Sequence, residues 1–400
     1  MKILVLTSRL PYPIEKGDKL RVYYQIRELA QRHEVYLFSL CPDPFTENDV
    51  DHLRSFCKEI KYEKLDKAGI AWNLFKGLLL GEPLQAAYFY RSGIHQKLKA
   101  WQKEIQAEAV FCQLIRMAAY VDDLGIPAYL DYMDSFSTGM ARQAQEEKWW
   151  LKPFFQRESR LLDKYQKKVY KDFGLHTIIS AQDKALMDPH DELDIQIAPN
   201  GIDTSHFLPR EKGSPAYDLA FVGNMGYFPN VKAAEYLYHK IMPLVWAKRP
   251  ETTLLLAGAR PHPSVQKMAS DNRITISGWV DDIRDAYGDG NIFVAPIFTG
   301  SGQQNKILES MSMAVCCLTT PLVNNAIEAQ EGEEIALAND PEGFAEKILS
   351  LLNRPEERQL MGDKARSFVS GQYTWAQSVA PFEEWLAPIQ QELSEKRKLG

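Results

Sequence analysis

The sequence contains little cysteine and no long hydrophobic run. Its five cysteines among 400 residues form no C-x-x-C pair and no Cys/His cluster with the spacing of a zinc site. This cysteine content favours a location in the reducing cytoplasm. The apolar run at residues 3–6 is too short for a signal-peptide core, and no later run reaches the length of a membrane span. We therefore expect a cytoplasmic protein with a globular core.

The chain also lacks an excess of positive charge. It carries 47 lysine and arginine residues against 53 aspartate and glutamate residues, which gives a net charge of -6. A protein with this balance presents no general basic field to nucleic acid. Nucleic acid is therefore not an expected partner. The 400 residues are enough for two domains that each bury a core.

Short apolar runs alternate with helical patterns along the chain, as they do in doubly wound parallel sheets. A loop near 195–215 interrupts the alternation, which then begins again. The sequence therefore predicts an α/β protein with two Rossmann-like doubly wound parallel-sheet domains. We expect domains at 1–195 and 196–375, and a final helix at 376–400 that packs back on the first domain. The runs that predict strands are 3–6, 35–40, 109–113, 127–131, 176–180, 218–223, 253–258, 273–277, 291–296 and 315–319.

Two common nucleotide-binding motifs are missing from these predicted sheets. A dinucleotide enzyme would show G-x-G-x-x-G directly after its first strand, whereas residues 7–13 read Thr-Ser-Arg-Leu-Pro-Tyr-Pro. No G-x-x-x-x-G-K-[ST] phosphate loop occurs. Both absences count against a dinucleotide-dependent oxidoreductase and a P-loop NTPase.

A glycine-rich turn and the helix after it carry the most specific chemical signal. The turn contains Gly300, Ser301 and Gly302, and the helix presents Lys306 and Glu309 three residues apart. The turn and the helix end can hold a diphosphate, with Lys306 as the cation and Glu309 as an acceptor for sugar hydroxyls. The alternative interpretation is an exposed lysine and glutamate pair on a helix surface.

A second turn, at Gly223 and Asn224, follows another predicted strand and leads into a helix. Small residues at this place would let backbone N–H groups approach a phosphate. An ordinary strand-to-helix turn explains the same pattern.

These segments occur in an order that resembles the family-4 (group 1) retaining glycosyltransferases, which have the GT-B fold of two Rossmann-like domains facing a cleft. The resemblance is strongest over about 196–330. The opening of the chain is similar to that of bacterial exopolysaccharide-type sugar transferases in particular. The segments that carry the resemblance are Arg9–Pro13 with Gly17 to Arg21, Asn200–Asp203, Phe221–Gly223, Leu254–Gly258, Ile276–Asp282 and Gly300–Met311.

The resemblance implies roles for particular residues. Lys306 would contact the diphosphate of a nucleotide-sugar donor and Glu309 its ribose, so both are candidate catalytic and donor-binding residues. The backbone around Val280 would meet the base. Gly17 would let the N-terminal loop close on the phosphates and the transferred sugar, with Asp18 beside it.

The resemblance also implies the course of the reaction, which in this family retains the anomeric configuration. Ser301 stands where the family commonly has a glutamate that touches the transferred sugar. No pair of carboxylates dedicated to a metal is evident around the expected diphosphate site, so we expect neither a metal nor another cofactor. The nucleotide sugar is then the donor substrate.

The acceptor is expected on the first domain, where the sequence is less specific. Asp134 follows a predicted strand at a position where the family often places a His or Asp near the transferred sugar, and it is the candidate catalytic residue on this side. The alternative is a helix N-cap formed by Asp134 or Ser135.

Residues 148–171 combine eight basic residues with aromatic ones. Such a helix can lie on an anionic membrane surface or meet a lipid diphosphate, which would place the protein at the inner face of the membrane. The alternative is a helix that packs Leu162, Tyr165 and Val169 on the core, with its lysines in solvent. Trp72, Phe75 and Leu78 to Leu80 form a second candidate of this kind.

The function expected first is transfer of a sugar from a nucleoside diphosphate sugar to a saccharide or lipid-linked acceptor, as part of polysaccharide biosynthesis. A nucleotide-sugar epimerase of the same fold is the second hypothesis. A nucleotide-sugar-binding protein without catalysis is the third, for which Ser301 is the only indication.

Overall fold

The structure is a computed structural model that describes residues 1–210, 215–299 and 303–399. The chain divides into two compact units. The first unit contains Met1–Pro199 and the residues from Trp375 onward, and the second contains Asn200–Thr374. Each unit is an α/β domain with its own parallel sheet. The predicted α/β fold with two Rossmann-like sheets is therefore confirmed.

The first unit is built on a parallel sheet in the order β3-β2-β1-β4-β5-β6-β7. Its central strands are apolar and buried on both faces, as expected of parallel strands covered by helices. The strand order reverses between β1 and β4. The strands are β1 Lys2–Thr7, β2 Glu34–Cys41, β3 Glu59–Lys64, β4 Ala109–Gln113, β5 Ala128–Asp131, β6 Leu175–Ile178 and β7 Gln196–Ile197.

The short strand β7 explains a difference from the sequence-based boundary. We expected the second domain to begin at 196, but Gln196 and Ile197 pair with β6 at the edge of the first sheet. The division therefore falls after Pro199.

The helices of the first unit cover both faces of this sheet. In α1, Val22, Ile26 and Leu29 recur at helical spacing and are buried against it. The helices are α1 Gly17–Leu29, α2 Glu47–Arg54, α3 Lys67–Leu80, α4 Leu84–Ala87, α5 Ser92–Ile105, α6 Phe136–Glu146, α7 Lys152–Val169 and α8 Ala181–Met187.

The second unit repeats the architecture with a parallel sheet in the order β10-β9-β8-β11-β12-β13. Here the strand order reverses between β8 and β11. The strands are β8 Tyr217–Val222, β9 Leu254–Ala257, β10 Ile274–Gly278, β11 Gly290–Ala295, β12 Cys316–Thr319 and β13 Ala336–Leu337. The helices are α9 Phe228–Tyr236, α10 Met242–Trp246, α11 Pro263–Gln266, α12 Ile283–Gly288, α13 Asn305–Ser312, α14 Pro321–Asn324, α15 Pro341–Asn353 and α16 Pro355–Gln372.

The last helix, α17 Trp375–Leu399, belongs to the first unit although it follows the second along the chain. Phe382 and Leu386 are each 1% exposed and complete the core on one face of the first sheet. The Phe382 ring stacks on Tyr129 with the centroids 4.9 Å apart, and Trp375 stacks on Tyr24 at 4.8 Å. Within the described residues, no helix combines the length and the hydrophobicity that crossing a bilayer would require.

A buried ion pair connects α1 to the sheet of the first unit. Arg21 and Asp131 are both fully buried. Arg21 Nε donates to Asp131 Oδ2 at 2.7 Å, and Nη2 donates to Oδ1 at 3.0 Å. The same Nη2 donates to the carbonyl of Ala198 at 2.8 Å, which holds the end of the unit's first segment against α1. The pair thus fixes three parts of the first unit to one another.

Candidate functional site

The candidate site of the second unit lies where its strand order reverses. Gly223 and Asn224 directly follow β8, and the glycine-rich turn follows β11 and leads into α13. Open α/β sheets bind ligands beyond the carboxyl ends of the strands that flank such a reversal. The turn residues Gly300, Ser301 and Gly302 lie outside the described residues. The helix that follows them is described, and it positions the two charged candidates.

Lys306 lies in the first turn of α13 and points towards the end of β8. Its Nζ donates to Oδ1 of Asn230 at 2.5 Å and lies 5.5 Å from the centroid of the Phe221 ring. Burial lowers the pKa of Lys306 to about 8, although the nearby Glu309 carboxylate acts in the opposite direction. The ammonium group thus has a neutral partner, and it stays protonated at pH 7.

Glu309 lies one turn further along α13. Its Oε2 accepts a hydrogen bond of 2.6 Å from the hydroxyl of Tyr287, a buried side chain of α12. Burial raises the pKa of Glu309, while the Tyr287 hydroxyl and Lys306 lower it. Oε1 has no hydrogen-bond partner among the described residues. A carboxylate held by one oxygen can accept from a ligand hydroxyl with the other.

Lys306 and Glu309 do not form the ion pair expected of a solvated lysine and glutamate three residues apart. Each side chain is partly exposed and is held by a different neutral group. Gln304, at the N-cap of α13, makes no side-chain cap. The first backbone N–H groups of this helix are therefore left without that partner, an arrangement that suits an anion.

The turn after β8 brings the backbone close to these groups. A Cβ atom on Gly223 would lie 2.8 Å from Nδ2 of Asn230 and 3.4 Å from Nζ of Lys306. Asn230 Nδ2 also donates to the carbonyl of Asn224 at 3.0 Å, which fixes the turn. Gly258, with a φ of 140°, packs so tightly that its Cβ would lie 1.7 Å from the Gly223 oxygen. Glycine is therefore required at Gly258, and Gly223 leaves room beside Lys306.

Side-chain amides anchor the residues that follow Gly302 in the sequence. Gln303 accepts a hydrogen bond from the backbone N–H of Asn200 and donates to its carbonyl, both at 2.9 Å. Asn200 Nδ2 donates to Oδ1 of Asn305 at 3.1 Å. These contacts fix the start of α13.

Val280 and Arg260 follow the two remaining strands on one side of the sheet. Val280 comes after β10, is partly buried and packs on the core of the second unit. Its neighbour Trp279 is 75% exposed. Arg260 follows β9 and is exposed. These residues belong to the same edge of the sheet as Gly223.

In the first unit, Gly17 and Asp18 begin α1. A Cβ on Gly17 would lie 3.3 Å from Cε of Met133. Asp18 accepts a short ion-pair hydrogen bond of 2.6 Å from Arg9, the residue that follows β1 and Ser8. The carboxylate of Asp18 is thus already paired with a cation within the unit.

Asp134 follows β5 and does not cap the helix α6. The N-cap of α6 is Ser135, whose Oγ accepts from the N–H of Thr138 at 3.4 Å. Asp134 Oδ1 is buried and has no hydrogen-bond partner. Burial raises the pKa of Asp134 to about 6, and the carboxylate of Asp183 adds to the effect. A carboxyl group with this pKa can accept or release a proton close to neutral pH.

The basic aromatic segment 148–171 separates into two parts. Along α7, Leu162 and Val169 are buried, and Tyr165 packs on the core. The basic side chains on the outer face are exposed, namely Lys164, Lys167, Lys168 and Lys171. At the start of the segment Trp149, Trp150 and Phe154 are 78%, 56% and 42% exposed. The exposed aromatic surface therefore lies at one end of the helix and the exposed lysines along the rest.

Sequence reasoning did not find Asn230 and Tyr287, the two neutral partners. Both lie on other helices than the residues they hold. Asn230 follows the turn at Gly223 by seven residues, and that spacing is the only local signal for it. Tyr287 occupies a position that reads as an ordinary core aromatic. Within the described part of the chain, no group of three or more His, Cys, Asp or Glu side chains has a geometry that could hold a metal ion.

The second unit is similar to a known protein family. Residues 216–354 match the family model described as "Glycosyl transferases group 1". A Klebsiella pneumoniae protein described as an uncharacterized 44.6 kDa protein in the cps region is 24% identical over 394 residues, covering 93% of this chain and 96% of that protein. Residues 216–354 are therefore similar to a group 1 glycosyltransferase domain.

Solved structures share the fold over the whole chain. Sucrose-phosphate synthase from Thermosynechococcus elongatus superposes with a TM-score of 0.67 at 15% identity, covering 100% of this chain and 99% of that one. Anabaena HepE in complex with UDP and glucose has a TM-score of 0.66 at 13% identity, with coverages of 97% and 99%. At these identities the likeness shows the fold, which is GT-B.

Proposed function

We propose that this protein, whose residues 216–354 are similar to a group 1 glycosyltransferase domain, transfers a sugar from a nucleotide-sugar donor to a saccharide or lipid-linked acceptor. The observation that carries the proposal is the arrangement of Lys306 and Glu309 at the point where the strand order of the second sheet reverses. A cation and a carboxylate stand there, each held by a neutral partner and each partly exposed.

Each chemical group of the donor has a partner in this arrangement. Lys306 and the backbone N–H groups at the start of α13 bind the diphosphate, because an ammonium group and a helix N-terminus both favour anions. Glu309 Oε1 accepts hydrogen bonds from the ribose hydroxyls. The backbone around Val280 meets the base. Bound UDP in Anabaena HepE supports UDP as the nucleotide to test first.

In the first unit, Gly17 and Asp18 lie at the start of α1 and are assigned to the phosphates and the sugar of the donor, and Asp134 is assigned to the acceptor. Transfer proceeds with retention. The departing phosphate oxygen takes the proton of the acceptor hydroxyl on the face where the new bond forms, so no protein group has to be a strong base. Asp134 positions the acceptor hydroxyl. Lys306 and helix N–H groups neutralise the charge that grows on the diphosphate, and no metal ion takes part.

Calorimetry with UDP tests the donor site. Glu309→Ala should weaken UDP binding by about 1.5–3 kcal/mol, because it removes charge-assisted hydrogen bonds to the ribose. Ser301→Ala is the matched comparison and should have a smaller effect, since it removes at most a neutral hydrogen bond. Equal affinities for the two variants, or no UDP binding by the parent protein, would contradict the assignment.

Product analysis tests the reaction itself. Sugar transfer requires acceptor-dependent release of UDP from the donor. A nucleotide-sugar epimerase would convert the donor without net release, and a binding protein would do neither. The anomeric configuration of the product, measured by NMR, should be that of the donor. Loss of activity with a chelator and its rescue by magnesium would overturn the metal-free course.

We also propose that the protein acts in polysaccharide biosynthesis at the inner face of the membrane. The Klebsiella relative from a cps region supports this role. Neutralising the exposed lysines of α7 and of the short turn after it should reduce binding to anionic vesicles by about 1 kcal/mol per residue at low salt and leave UDP binding unchanged. Absence of vesicle binding by the parent protein would remove the membrane contact. The lysines are Lys164, Lys167, Lys168 and Lys171.

A further inference from the structure

The first unit contains a cavity of about 450 Å³ at the carboxyl edge of its sheet. Arg9 and Arg116 line it. Arg9 comes shortly after β1 and Arg116 shortly after β4, and these two strands flank the point where the strand order of the first sheet reverses. The cavity therefore occupies the position in the first unit at which open α/β sheets bind ligands.

Arg116 is a cation without an anionic partner in this cavity. Its Nε donates to Oε1 of Gln85 at 2.9 Å, and its guanidinium lies over the rings of Phe136 and Phe89, with centroid distances of 4.6 and 5.4 Å. No carboxylate oxygen of the described residues lies within 4.0 Å of it. Arg9, in contrast, forms ion pairs with two carboxylates. Burial and the charge of Arg9 lower the pKa of Arg116 to about 10, so it is still protonated at pH 7.

The walls of the cavity combine apolar side chains with one carboxyl group. Glu158 is 2% exposed, and its Oε1 accepts from the backbone N–H of Gln85 at 3.1 Å. Its Oε2 is buried without a hydrogen-bond partner. A ligand hydroxyl would satisfy this oxygen. The apolar walls are Leu74, Leu84, Phe89, Met140, Phe154 and Phe155.

The apolar wall continues onto the outer surface of α3 and the start of α7. Leu74 belongs to α3 and Phe154 to α7, and Phe154 is 42% exposed although it lines the cavity. Arg157 of α7 donates to the carbonyl of Leu78 at 3.2 Å and so joins the two helices. No acidic residue occurs in α3. The large apolar side chains that are exposed along α3 and in the residues just before α7 are Trp72, Phe75, Leu78, Leu79, Leu80, Trp149, Trp150 and Leu151.

We propose that this cavity binds the head of an amphiphilic acceptor, with a phosphate group on Arg116, a sugar hydroxyl on Glu158 and an apolar chain against α3 and the start of α7. The inference rests on the proposed function and specifies its acceptor as a lipid-phosphate-linked saccharide. An unpaired guanidinium suits a phosphate, because the two groups form charge-assisted hydrogen bonds. The exposed apolar surface suits a chain that leaves the cavity.

Calorimetry with three small probes tests the chemistry of the cavity. Octyl phosphate, below its critical micelle concentration, should bind at least tenfold more tightly than inorganic phosphate and than octyl glucoside. Arg116→Gln should weaken octyl phosphate binding at least tenfold. Arg160→Gln, which removes an exposed arginine of α7 outside the cavity, is the matched control and should change the affinity less than twofold. Leu78→Gln should weaken octyl phosphate binding and leave inorganic phosphate binding unchanged.

Each contrary result has a defined meaning. If octyl glucoside binds as tightly as octyl phosphate, Arg116 does not recognise the phosphate group. If inorganic phosphate binds as tightly as octyl phosphate, the apolar chain makes no contribution to binding. Vesicles containing phosphatidylglycerol should bind the Arg116→Gln variant as they bind the parent. Loss of vesicle binding in that variant would assign the cavity to bilayer lipid and overturn the acceptor. UDP binding is measured in parallel: if UDP binds and octyl phosphate does not, the inference fails and the proposed function stands.

Discussion

Both units place charged side chains at the carboxyl edge of a parallel sheet, but the partners of these charges differ. In the first unit, Arg21 and Asp131 neutralise each other in full burial, and Thr177 and the N–H of Met133 also donate to the Asp131 carboxylate. In the second unit, the cation and the carboxylate of α13 are partly exposed and bind separate neutral groups. The first arrangement leaves no charge for a ligand, and the second leaves two.

This difference separates charges that neutralise each other from charges that remain available to a ligand. A buried ion pair offsets its desolvation only when both partners are present and fully hydrogen-bonded. Such a pair holds elements in register and cannot bind anything else without losing stability. A charged group held by a neutral partner keeps its attraction for a ligand of opposite charge. Substitutions in the Arg21–Asp131 pair should therefore affect stability, and substitutions of Lys306 or Glu309 should affect nucleotide binding.

Asp131→Asn should produce the largest effect on stability. It leaves the Arg21 guanidinium buried without a counter-charge, which costs about 3–5 kcal/mol in comparable cases. Urea unfolding followed by circular dichroism measures the loss. Asp51→Asn is the control, because it removes a carboxylate from an exposed ion pair with Arg54 and should change stability little. Equal effects of the two substitutions would show that burial of the pair does not matter.

Lys306→Met should have the opposite profile. It removes a charge that burial disfavours, so the midpoint of thermal unfolding should stay the same or rise. UDP affinity should fall by about 1.5–3 kcal/mol, or roughly 10–150-fold, because the diphosphate loses a charge-assisted contact. Lys232→Met, at an exposed lysine of α9, should alter neither quantity. A strong loss of stability in Lys306→Met with unchanged UDP affinity would show that Lys306 stabilises the fold and does not bind the nucleotide.

The pH dependence of UDP binding should show a smaller effect. The pKa of Lys306 is about 8. Its ammonium group loses its proton as the pH rises from 7 to 9, so UDP affinity should decrease over this range by less than in Lys306→Met. Calorimetry at several pH values measures the decrease, which should be absent from the variant. An equal decrease in the parent and the variant would show that another group titrates.

The same pKa fixes the sign of a change in stability. The folded-state pKa of Lys306 lies below the ordinary lysine value of 10.5, so between about pH 8 and 10.5 the unfolded chain binds more protons at this site. The contribution of Lys306 to the free energy of unfolding therefore rises with pH across this window. Lys306→Met should remove that rise.

The sequence predicts most of the two sheets because parallel strands buried on both faces are continuous apolar runs. Residues 3–6 and 35–40 lie within β1 and β2. Strand β3 was not predicted: it lies at the edge of the sheet, and its sequence Glu-Ile-Lys-Tyr-Glu-Lys alternates charged with apolar residues in a partly exposed strand. Edge strands keep polar residues in this way, which hides them from a search for apolar runs.

In the candidate site, too, only the residues that belong to a local sequence pattern could be predicted. Lys306 and Glu309 could be identified because a glycine-rich turn before a helix is a local pattern. Their partners Asn230 and Tyr287, and the isolated charge of Arg116, depend on tertiary contacts that no local spacing encodes. Asp134 was open between two interpretations, and its environment shows that Ser135 caps the helix.

The return of α17 to the first unit has a consequence for synthesis on the ribosome. All of Asn200–Thr374 is translated before Phe382 and Leu386 leave the exit tunnel, and these two side chains fill the core beneath β1 and β5. The second unit is complete in sequence at that moment, whereas the first still lacks part of its interior. During synthesis the first unit therefore cannot complete this part of its core until the whole of Asn200–Thr374 has been translated.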